Sequence, residues 1–149
     1  MIIGIACDHG GYDLKQFILT FLVSLGYEVK DFGAGHLNTS DDYPDFVIPL
    51  SIAVAGSKVE KGIAICGSGV GASVVSNKIP GVRAALINDH FSAHQGVEDD
   101  NMNIICLGGR TTGLETAKEF ILAFLNAKFS GEDRHIRRLK KISAIEKKV

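Results

Sequence analysis

Short apolar runs that alternate with helix-length amphipathic stretches constrain the fold of this chain more than any other feature. Five of these runs end in turn-forming residues and predict buried strands over residues 2–7, 27–32, 62–66, 82–88 and 103–107. Apolar residues at helical spacing predict helices over residues 12–25, 46–55, 70–77, 91–96 and 114–129. Strands joined by helices form right-handed crossovers and a parallel sheet that is covered on both faces. We therefore predict an α/β, three-layer Rossmann-like domain with a five-stranded parallel sheet.

The C-terminal segment differs in charge from the rest of the chain. Residues 134–149 carry seven Lys or Arg residues and one Glu, whereas residues 1–133 carry nine basic and sixteen acidic residues. The apolar positions of this basic segment recur at helical spacing and predict a C-terminal helix over about 133–147. The whole chain has a formal net charge of −1, which argues against a general nucleic-acid binder.

Length and composition predict one domain, over residues 1–149, because 149 residues that are 46% hydrophobic can bury a single core. The N-terminus has no basic and apolar leader pattern, and no apolar run is long enough to span a membrane. We expect a cytoplasmic protein without a membrane partner. Cys7, Cys66 and Cys106 are too few and too far apart for a disulfide framework or a zinc site. Reduced thiols and no bound metal are therefore expected.

Polar or glycine-rich turns follow three of the predicted strands. Asp8 and His9 follow the first strand, Ser68 follows the third, and Arg110 follows the fifth. Ligands of open parallel sheets bind outside the carboxyl ends of the strands. We therefore predict that these turns meet at one edge of the sheet and form a binding site there.

The turn at residues 67–71 has the sequence GSGVG and lies between a predicted strand and a predicted helix. Such a loop turns backbone N–H groups outward beside a helix N-terminus and favours anions. Together with Ala72 the turn also satisfies a relaxed dinucleotide-binding pattern, with Asp89 at a suitable distance. A dinucleotide site is therefore an alternative, although the turn follows the third strand and the chain is short for two mononucleotide-binding halves.

Cys66 ends the strand before this turn, where proximity to a helix N-terminus would lower the pKa of its thiol and make it a usable base. The alternative is that Cys66 is a small buried hydrophobe, which is the common role of a free cysteine. Cys7 and Cys106 lie within apolar runs, and we predict that both belong to the core.

Two further groups of residues have both a structural and a functional interpretation. Asp8 could cap the predicted helix over 12–25, or Asp8 and His9 together could offer a carboxylate and a cation to a polar ligand. Arg134 and Arg138 could belong to a solvated helix face. They are also four residues apart on one face, a spacing at which two arginines can bind one phosphate.

Several sequence blocks together resemble one known family. They are CDHGG at residues 7–11, DYPD at 42–45, CGSGVGASVVSNKIPGVRAA at 66–85, GGR at 108–110 and DRHIRRLKKISAIE at 133–146. They resemble the B-type ribose-5-phosphate isomerases and the subunits of galactose-6-phosphate isomerase. The resemblance extends over nearly the whole chain, and the CGSGVG block is its most specific part.

The resemblance implies an aldose–ketose isomerase that needs no metal or cofactor and works as a homodimer or a dimer of dimers. Such enzymes move a proton between C1 and C2 of a phosphorylated sugar through a cis-enediolate. Cys66 matches the proton-transferring base of the family. A separate branch has a Glu where this chain has Ala72, so the chain resembles the cysteine branch.

The resemblance also implies roles for the surrounding residues. The backbone N–H groups of the glycine-rich turn match an anion hole for the enediolate oxygen, formed with Ser68 by Gly67, Gly69 and Gly71. Asp8 matches a residue that contacts the ring oxygen or hydroxyls of the sugar.

The remaining matches concern the pocket wall and the phosphate. Tyr43 and Arg110 match pocket residues, and His9 matches a phosphate ligand. Arg134 and Arg138 also match phosphate ligands, which would come from the C-terminal helix of a partner subunit.

One block departs from the family pattern. The ring-opening His of typical ribose-5-phosphate isomerases aligns with Asp99, and the Asn beside it aligns with Asp100. A carboxyl group with an ordinary pKa of about 3.9 is a poorer acid catalyst near neutral pH than a histidine. Asp99 is expected either to assist ring opening in place of His, or to mark a substrate that needs no ring opening.

The sequence therefore predicts an isomerase that converts ribose 5-phosphate into ribulose 5-phosphate. The alternatives are an isomerase of a tetrose 4-phosphate or a hexose 6-phosphate, a non-catalytic subunit that depends on a partner, and a nucleotide-binding module.

Overall fold

Five parallel strands form one sheet in the computed structural model, which describes residues 1–146 of the chain. The strands are β1 (Ile2–Cys7), β2 (Glu28–Asp31), β3 (Lys61–Cys66), β4 (Ala84–Leu86) and β5 (Ile104–Gly108). They lie in the order β2-β1-β3-β5-β4, and every neighbouring pair is parallel. This arrangement confirms the predicted α/β, Rossmann-like fold.

Six helices connect or follow the strands within the described residues. They are α1 (Tyr12–Ser24), α2 (Pro44–Ala55), α3 (Val70–Ser76), α4 (His90–Asp100), α5 (Leu114–Asn126) and α6 (Asp133–Glu146). Position 147, at the predicted end of the C-terminal helix, lies outside the described residues. None of the described helices combines the length with the apolar composition that crossing a bilayer requires.

The prediction for the fourth helix was wrong at its end, because α4 extends four residues beyond the predicted 91–96. Glycine is unfavourable inside a helix, and Gly96 stands where the predicted helix ends. Here the glycine provides space instead, because a Cβ atom at Gly96 would lie 3.2 Å from Cε of Met102. The helix ends where Asn101 adopts a left-handed conformation with φ of 50°.

The two faces of the sheet carry side chains of different size. Helices α1, α4 and α5 pack on one face, against large aliphatic side chains that include Ile5, Ile63 and Leu107. Helices α2 and α3 pack on the other face, where the strands present small residues such as Ala6 and Ala64. Alternation along each strand separates the two sets. The face under α2 therefore admits a closer helix.

Two glycines make this close approach possible. A Cβ atom at Gly4 would collide with the side chain of Leu50 in α2, and one at Gly62 would lie 3.1 Å from Cγ2 of Val54. Interiors packed at this density tolerate no extra methyl group without displacement of a neighbour. The distance between α2 and the sheet thus depends on the absence of two side chains.

The strand order also determines where a ligand site can form. The chain runs from β1 outward to β2 and then crosses to β3 on the other side of β1. The crevice at such a switch point is the usual binding site of open α/β sheets. The register pairs Cys7 with Ile65 and Cys66 with Gly108, so the turns after β1, β3 and β5 begin at the same level.

Candidate active site

A cavity of about 410 Å³ opens at the carboxyl edge of the sheet. The turns after β1, β3 and β5 and the segment before α2 contribute its lining, which consists of Asp8, His9, Gly10, Tyr43, Cys66, Gly67, Ser68, Gly71, Arg110 and Thr111. The predicted meeting of the three turns at one edge is confirmed. Most of the lining side chains are polar or charged, so the cavity suits a hydrophilic ligand.

Hydrogen bonds between backbones join the turns after β3 and β5. Gly109 N–H donates to the carbonyl of Cys66 at 2.8 Å, and Arg110 N–H donates to the carbonyl of Gly67 at 3.0 Å. The turn after β5 is therefore attached to the glycine-rich turn at two points. This attachment holds the Arg110 side chain beside Gly67, where a Cβ atom would lie 3.7 Å from the guanidinium carbon.

The glycines of the 67–71 turn have two separate functions in the geometry. Gly69 has a φ of 78°, a left-handed conformation that favours glycine, and it precedes the first residue of α3. Gly71 lies under the ring of Tyr43, whose Cζ would be only 2.6 Å from a Cβ atom at this position. Tyr43 thus forms a wall of the cavity directly above the start of α3.

Cys66 lies at the end of β3 with 4% of its surface exposed, and it lines the cavity. The N–H of Gly69 donates a hydrogen bond to Sγ of Cys66 at 3.2 Å. An N–H donor aimed at sulfur suits a thiolate, the form of cysteine that accepts a proton. Cys66 therefore combines a donor for its sulfur with contact to the cavity.

The other two cysteines are fully buried in the core, as predicted. Burial raises the pKa of the Cys7 thiol to about 11, and it raises the pKa of the Cys106 thiol as well. Neither residue lines the cavity at the carboxyl edge. Cys66 is thus the one of the three cysteines that lines the cavity.

Asp8 caps a different element from the one considered in the sequence. A single 3-10 turn, His9–Gly11, precedes α1, and Asp8 Oδ1 accepts a hydrogen bond from Gly10 N–H at 2.9 Å. Gly11 rather than Asp8 occupies the cap position of α1. The two glycines allow this extra turn, because a side chain at Gly11 would collide with Ile65. Asp8 therefore remains at the cavity, 7% exposed.

His9 is bound to Asp41, a residue that the sequence did not single out. Asp41 Oδ1 accepts hydrogen bonds from the backbone N–H of His9 at 2.9 Å and from its ring Nδ1 at 2.7 Å. The hydrogen bond that His9 donates to Asp41 raises the pKa of His9 above its ordinary value, and Asp8 adds to this effect. Asp41 lies in a polar loop with other acidic residues, so its sequence gives no signal of this contact.

Asp8, His9 and Asp41 are also the described residues that could hold a metal ion, since their ligand atoms lie within 4.8 Å of one another. The two hydrogen bonds from His9 already occupy Oδ1 of Asp41. The short distance between His9 and Asp41 is thus explained by the hydrogen-bonded pair itself.

Five predicted site residues do not line this cavity, and one of them, Gly69, is buried within the glycine-rich turn. Arg134 and Arg138 lie in the exposed first turns of α6, and Nε of Arg134 forms an ion pair with Glu132 at 2.9 Å. Asp100 lines a separate cavity of about 430 Å³ between α4 and α6. Asp99 also lies at the end of α4 and does not line the cavity that contains Cys66.

Each oxygen of the Asp99 carboxylate has a polar neighbour. Oδ2 accepts a hydrogen bond from Nε2 of Gln95 at 2.6 Å, and Oδ1 lies 3.4 Å from Nδ1 of His135 in α6. His135 is 1% exposed, and the same Nδ1 lies 2.8 Å from Oγ of Ser130. Asp99 thus contributes to the attachment of α6 to α4.

The fold and the cavity together define a Rossmann-like α/β protein with a polar site at the switch point of its sheet. The Ribose/Galactose Isomerase family model matches residues 3–142 of the chain. The chain belongs to this family. It is an enzyme, an aldose–ketose isomerase of the sugar-phosphate class.

Individual relatives agree with this assignment. The chain is 40% identical over 146 residues to ribose-5-phosphate isomerase B of Escherichia coli, which covers 98% of this chain and 97% of that protein. It is 38% identical over 129 residues to a D-erythrulose-4-phosphate isomerase of Pectobacterium atrosepticum, covering 87% of this chain and 85% of the relative. The solved structure of Clostridium thermocellum ribose-5-phosphate isomerase B matches at 47% identity with a TM-score of 0.95, covering 99% of each chain.

Proposed function

We propose that the chain interconverts ribose 5-phosphate and ribulose 5-phosphate with Cys66 as the base. The observation that carries this proposal is the position of Cys66 in the polar cavity, with its sulfur 3.2 Å from a backbone N–H donor. The similarity over the full chain to ribose-5-phosphate isomerases B supports the choice of substrate. Membership of an isomerase family favours this function over the dinucleotide-binding alternative.

The proposed reaction needs one base that both takes and returns a proton. The Cys66 thiolate removes the proton from C2 of the open-chain aldose, and the electron pair forms the C1–C2 double bond of a cis-enediolate. The carbonyl oxygen on C1 receives the negative charge. The proton of the C2 hydroxyl passes to the oxygen on C1, the Cys66 thiol returns its proton to C1, and a carbonyl forms at C2. No atom is gained or lost, so the reaction is balanced without a cofactor.

Negative charge develops on the sugar oxygens during this reaction, and donors at the cavity edge would stabilise it. In the proposal these donors are the hydroxyl of Ser68 and the backbone N–H groups of Gly67 and Gly71, because the N–H of Gly69 already donates to Sγ of Cys66. Ser68 is exposed in the glycine-rich turn, and its Oγ accepts only a long hydrogen bond of 3.4 Å from Val70 N–H. Its hydroxyl hydrogen is therefore available to a ligand.

The sugar would lie between Asp8 and the ring of Tyr43, with its phosphate toward His9 and Arg110. Both cations line the same cavity as Cys66. We propose that the enzyme is a homodimer or a dimer of dimers, and that α6 of the partner subunit adds Arg134 and Arg138 to the phosphate site. The exposure of these arginines and their distance from their own cavity favour this arrangement.

A tetrose 4-phosphate isomerase is the second candidate function, and the contacts of Asp99 favour it. With Gln95 and His135 at its two oxygens, the carboxylate has limited freedom to act as a ring-opening acid. A tetrose whose oxygen on C4 is phosphorylated has no need of that step. The similarity to a D-erythrulose-4-phosphate isomerase supports the same candidate.

Turnover of three substrate classes by the purified chain tests these alternatives. Ribose 5-phosphate, erythrose 4-phosphate, and allose or galactose 6-phosphate are each measured for kcat/KM. The proposal expects ribose 5-phosphate to be preferred by about tenfold or more, which is about 1.4 kcal/mol of transition-state stabilisation. A preference for the tetrose or the hexose would overturn it.

The variant Asp99→Asn separates the two roles of that carboxylate. If Asp99 opens the sugar ring, kcat with ribose 5-phosphate falls by about 100-fold, because a general acid contributes about that much or more. If Asp99 only attaches α6, kcat stays within a factor of about three, and the free energy of unfolding falls instead by about 1 kcal/mol.

No activity of the purified chain on any of the sugars would support the partner-dependent subunit and contradict the proposal.

A further inference from the structure

His9 is attached to Asp41 at two points, although the residues are far apart in the sequence. Both the backbone N–H and the ring Nδ1 of His9 donate to the same oxygen, Oδ1 of Asp41, at 2.9 and 2.7 Å. The backbone contact fixes the turn after β1, and the ring contact fixes the orientation of the imidazole. With Nδ1 occupied, Nε2 is the ring nitrogen that remains for a ligand in the cavity.

The surroundings of Asp41 make this contact more than a surface ion pair. Its side chain is 8% exposed, and its second oxygen, Oδ2, is buried without a hydrogen-bond partner among the described residues. A carboxylate with so little hydration depends on a nearby positive charge. The His9 ring is 30% exposed and lies at the cavity, so it can supply that charge and still face a ligand.

Two other charged side chains face His9. Asp8, from the start of the same turn, favours the protonated ring, and Arg110, from the turn after β5, disfavours it. The hydrogen bond that His9 donates to Asp41 is the largest influence. It outweighs the opposing effects of burial and Arg110, so the pKa of His9 lies above its ordinary value of about 6.5. The geometry and the charges therefore agree that Asp41 favours an imidazolium at position 9.

We propose that Asp41 is a positioning residue that holds His9 as an oriented cation at the phosphate end of the substrate. The role in substrate binding rests on the proposed function, in which the phosphate lies toward His9. The effect of Asp41 on His9 itself rests only on the contacts between the two residues. Asp41 is not expected to touch the sugar, because it reaches the cavity through His9.

The variant Asp41→Asn tests the proposal, because asparagine keeps the shape and one acceptor oxygen but removes the charge. Asp45→Asn is the matched control, since it removes an exposed carboxylate four residues away in the first turn of α2. The pKa of His9 is measured by NMR in histidine-labelled protein, with the signal of His9 identified by its loss in His9→Gln. Inorganic phosphate serves as the probe for binding, and KM and kcat are measured with ribose 5-phosphate.

We expect the pKa of His9 to lie above about 6.5 in the parent enzyme and to fall in Asp41→Asn but not in Asp45→Asn. The ratio of the KM of Asp41→Asn to the KM of the parent should then rise about fivefold between about pH 6 and about pH 7.5. The value of kcat should change little. The reason is that a histidine of ordinary pKa loses most of its charge in this interval. Comparison with the parent at each pH removes the titration of the substrate phosphate itself.

Three outcomes would overturn the proposal. They are a pKa of His9 that is equal in the parent and in Asp41→Asn, a ratio of KM values that does not change with pH, and an equal loss in Asp45→Asn. If Asp41→Asn does not fold, the titration of His9 in the parent decides, and a pKa at or below about 6.5 contradicts the proposal. If the parent enzyme turns over no sugar phosphate, but Asp41→Asn still lowers its phosphate affinity and the charge of His9, the proposed function is refuted. The proposed role of Asp41 then stands.

Discussion

The cavity at the carboxyl edge and the C-terminal helix α6 differ in how completely one chain supplies their surroundings. Around the cavity, the turns after β3 and β5 are joined by hydrogen bonds, and Cys66 has a donor within its own turn. Helix α6 instead presents most of its charged side chains to solvent, and the buried His135 is one of its contacts with the rest of the chain. In the proposed function the reactive groups are assembled within one chain, and a second chain supplies part of the charge for the phosphate.

Cys66→Ala is expected to have the largest effect, because it removes the proposed base from the cavity at the carboxyl edge. We expect kcat to fall by about 10³-fold or more with the fold retained, since proton transfer by a positioned group contributes about that much. The measurement is kcat under saturating ribose 5-phosphate, with circular dichroism to check folding. Cys106→Ala, on the neighbouring strand, is the matched control and should keep a normal kcat. Near-normal turnover by Cys66→Ala would refute the base assignment.

Arg138→Ala should have the next largest effect, and it tests whether α6 completes the phosphate site. Loss of a charge-assisted hydrogen bond costs about 2 kcal/mol, so KM should rise about 30-fold with a smaller change in kcat. Lys141→Ala removes a charge from an exposed position one turn further along α6 and should leave KM unchanged. Mixing Cys66→Ala with Arg138→Ala adds a direct test. Activity that recovers toward a quarter of the parent value indicates a site shared between subunits, and no recovery indicates separate sites.

His135→Ala should have the smallest effect on catalysis and should act on the attachment of α6. The imidazole of His135 contacts both the carboxylate of Asp99 and the hydroxyl of Ser130, and the substitution removes both contacts. We expect a loss of about 1–3 kcal/mol in the free energy of unfolding, measured by urea denaturation at one fixed protein concentration. An unchanged stability would mean that other contacts hold α6, such as the hydrogen bond from Gly81 N–H to Glu146 at 3.0 Å.

The sequence was sufficient to predict the sheet and the cavity edge because the determining signals are local. The apolar run that ends at Cys66, followed by three glycines in five residues, specifies a strand, a tight turn and a helix within about fifteen residues. The second strand, α3 and α6 also begin within about two residues of their predicted positions. Periodicity is reliable in these segments because burial and helical geometry act over the same short distance.

The contacts that the sequence did not reveal connect distant segments. Asp41 meets His9 across 32 positions, and Asp99 meets His135 across two helices. Each partner occupies a stretch rich in polar or charged residues, where composition alone predicts solvent exposure. Only the packing of loops and helices shows that these carboxylates have partners. The same limitation explains why Asp8 was considered as a cap for a long helix rather than for a single turn.

The two glycines beneath α2 also affect the width of the cavity. Helix α2 begins at Pro44, immediately after Tyr43, whose ring forms a wall of the cavity over Gly71. A methyl group added at Gly4 or Gly62 would lift α2 from the sheet and move that wall outward. Residues on the sheet face that α2 covers would thereby affect which length of substrate fits the cavity, without contacting the substrate. Protein engineers who wish to admit a longer sugar phosphate could begin with substitutions there.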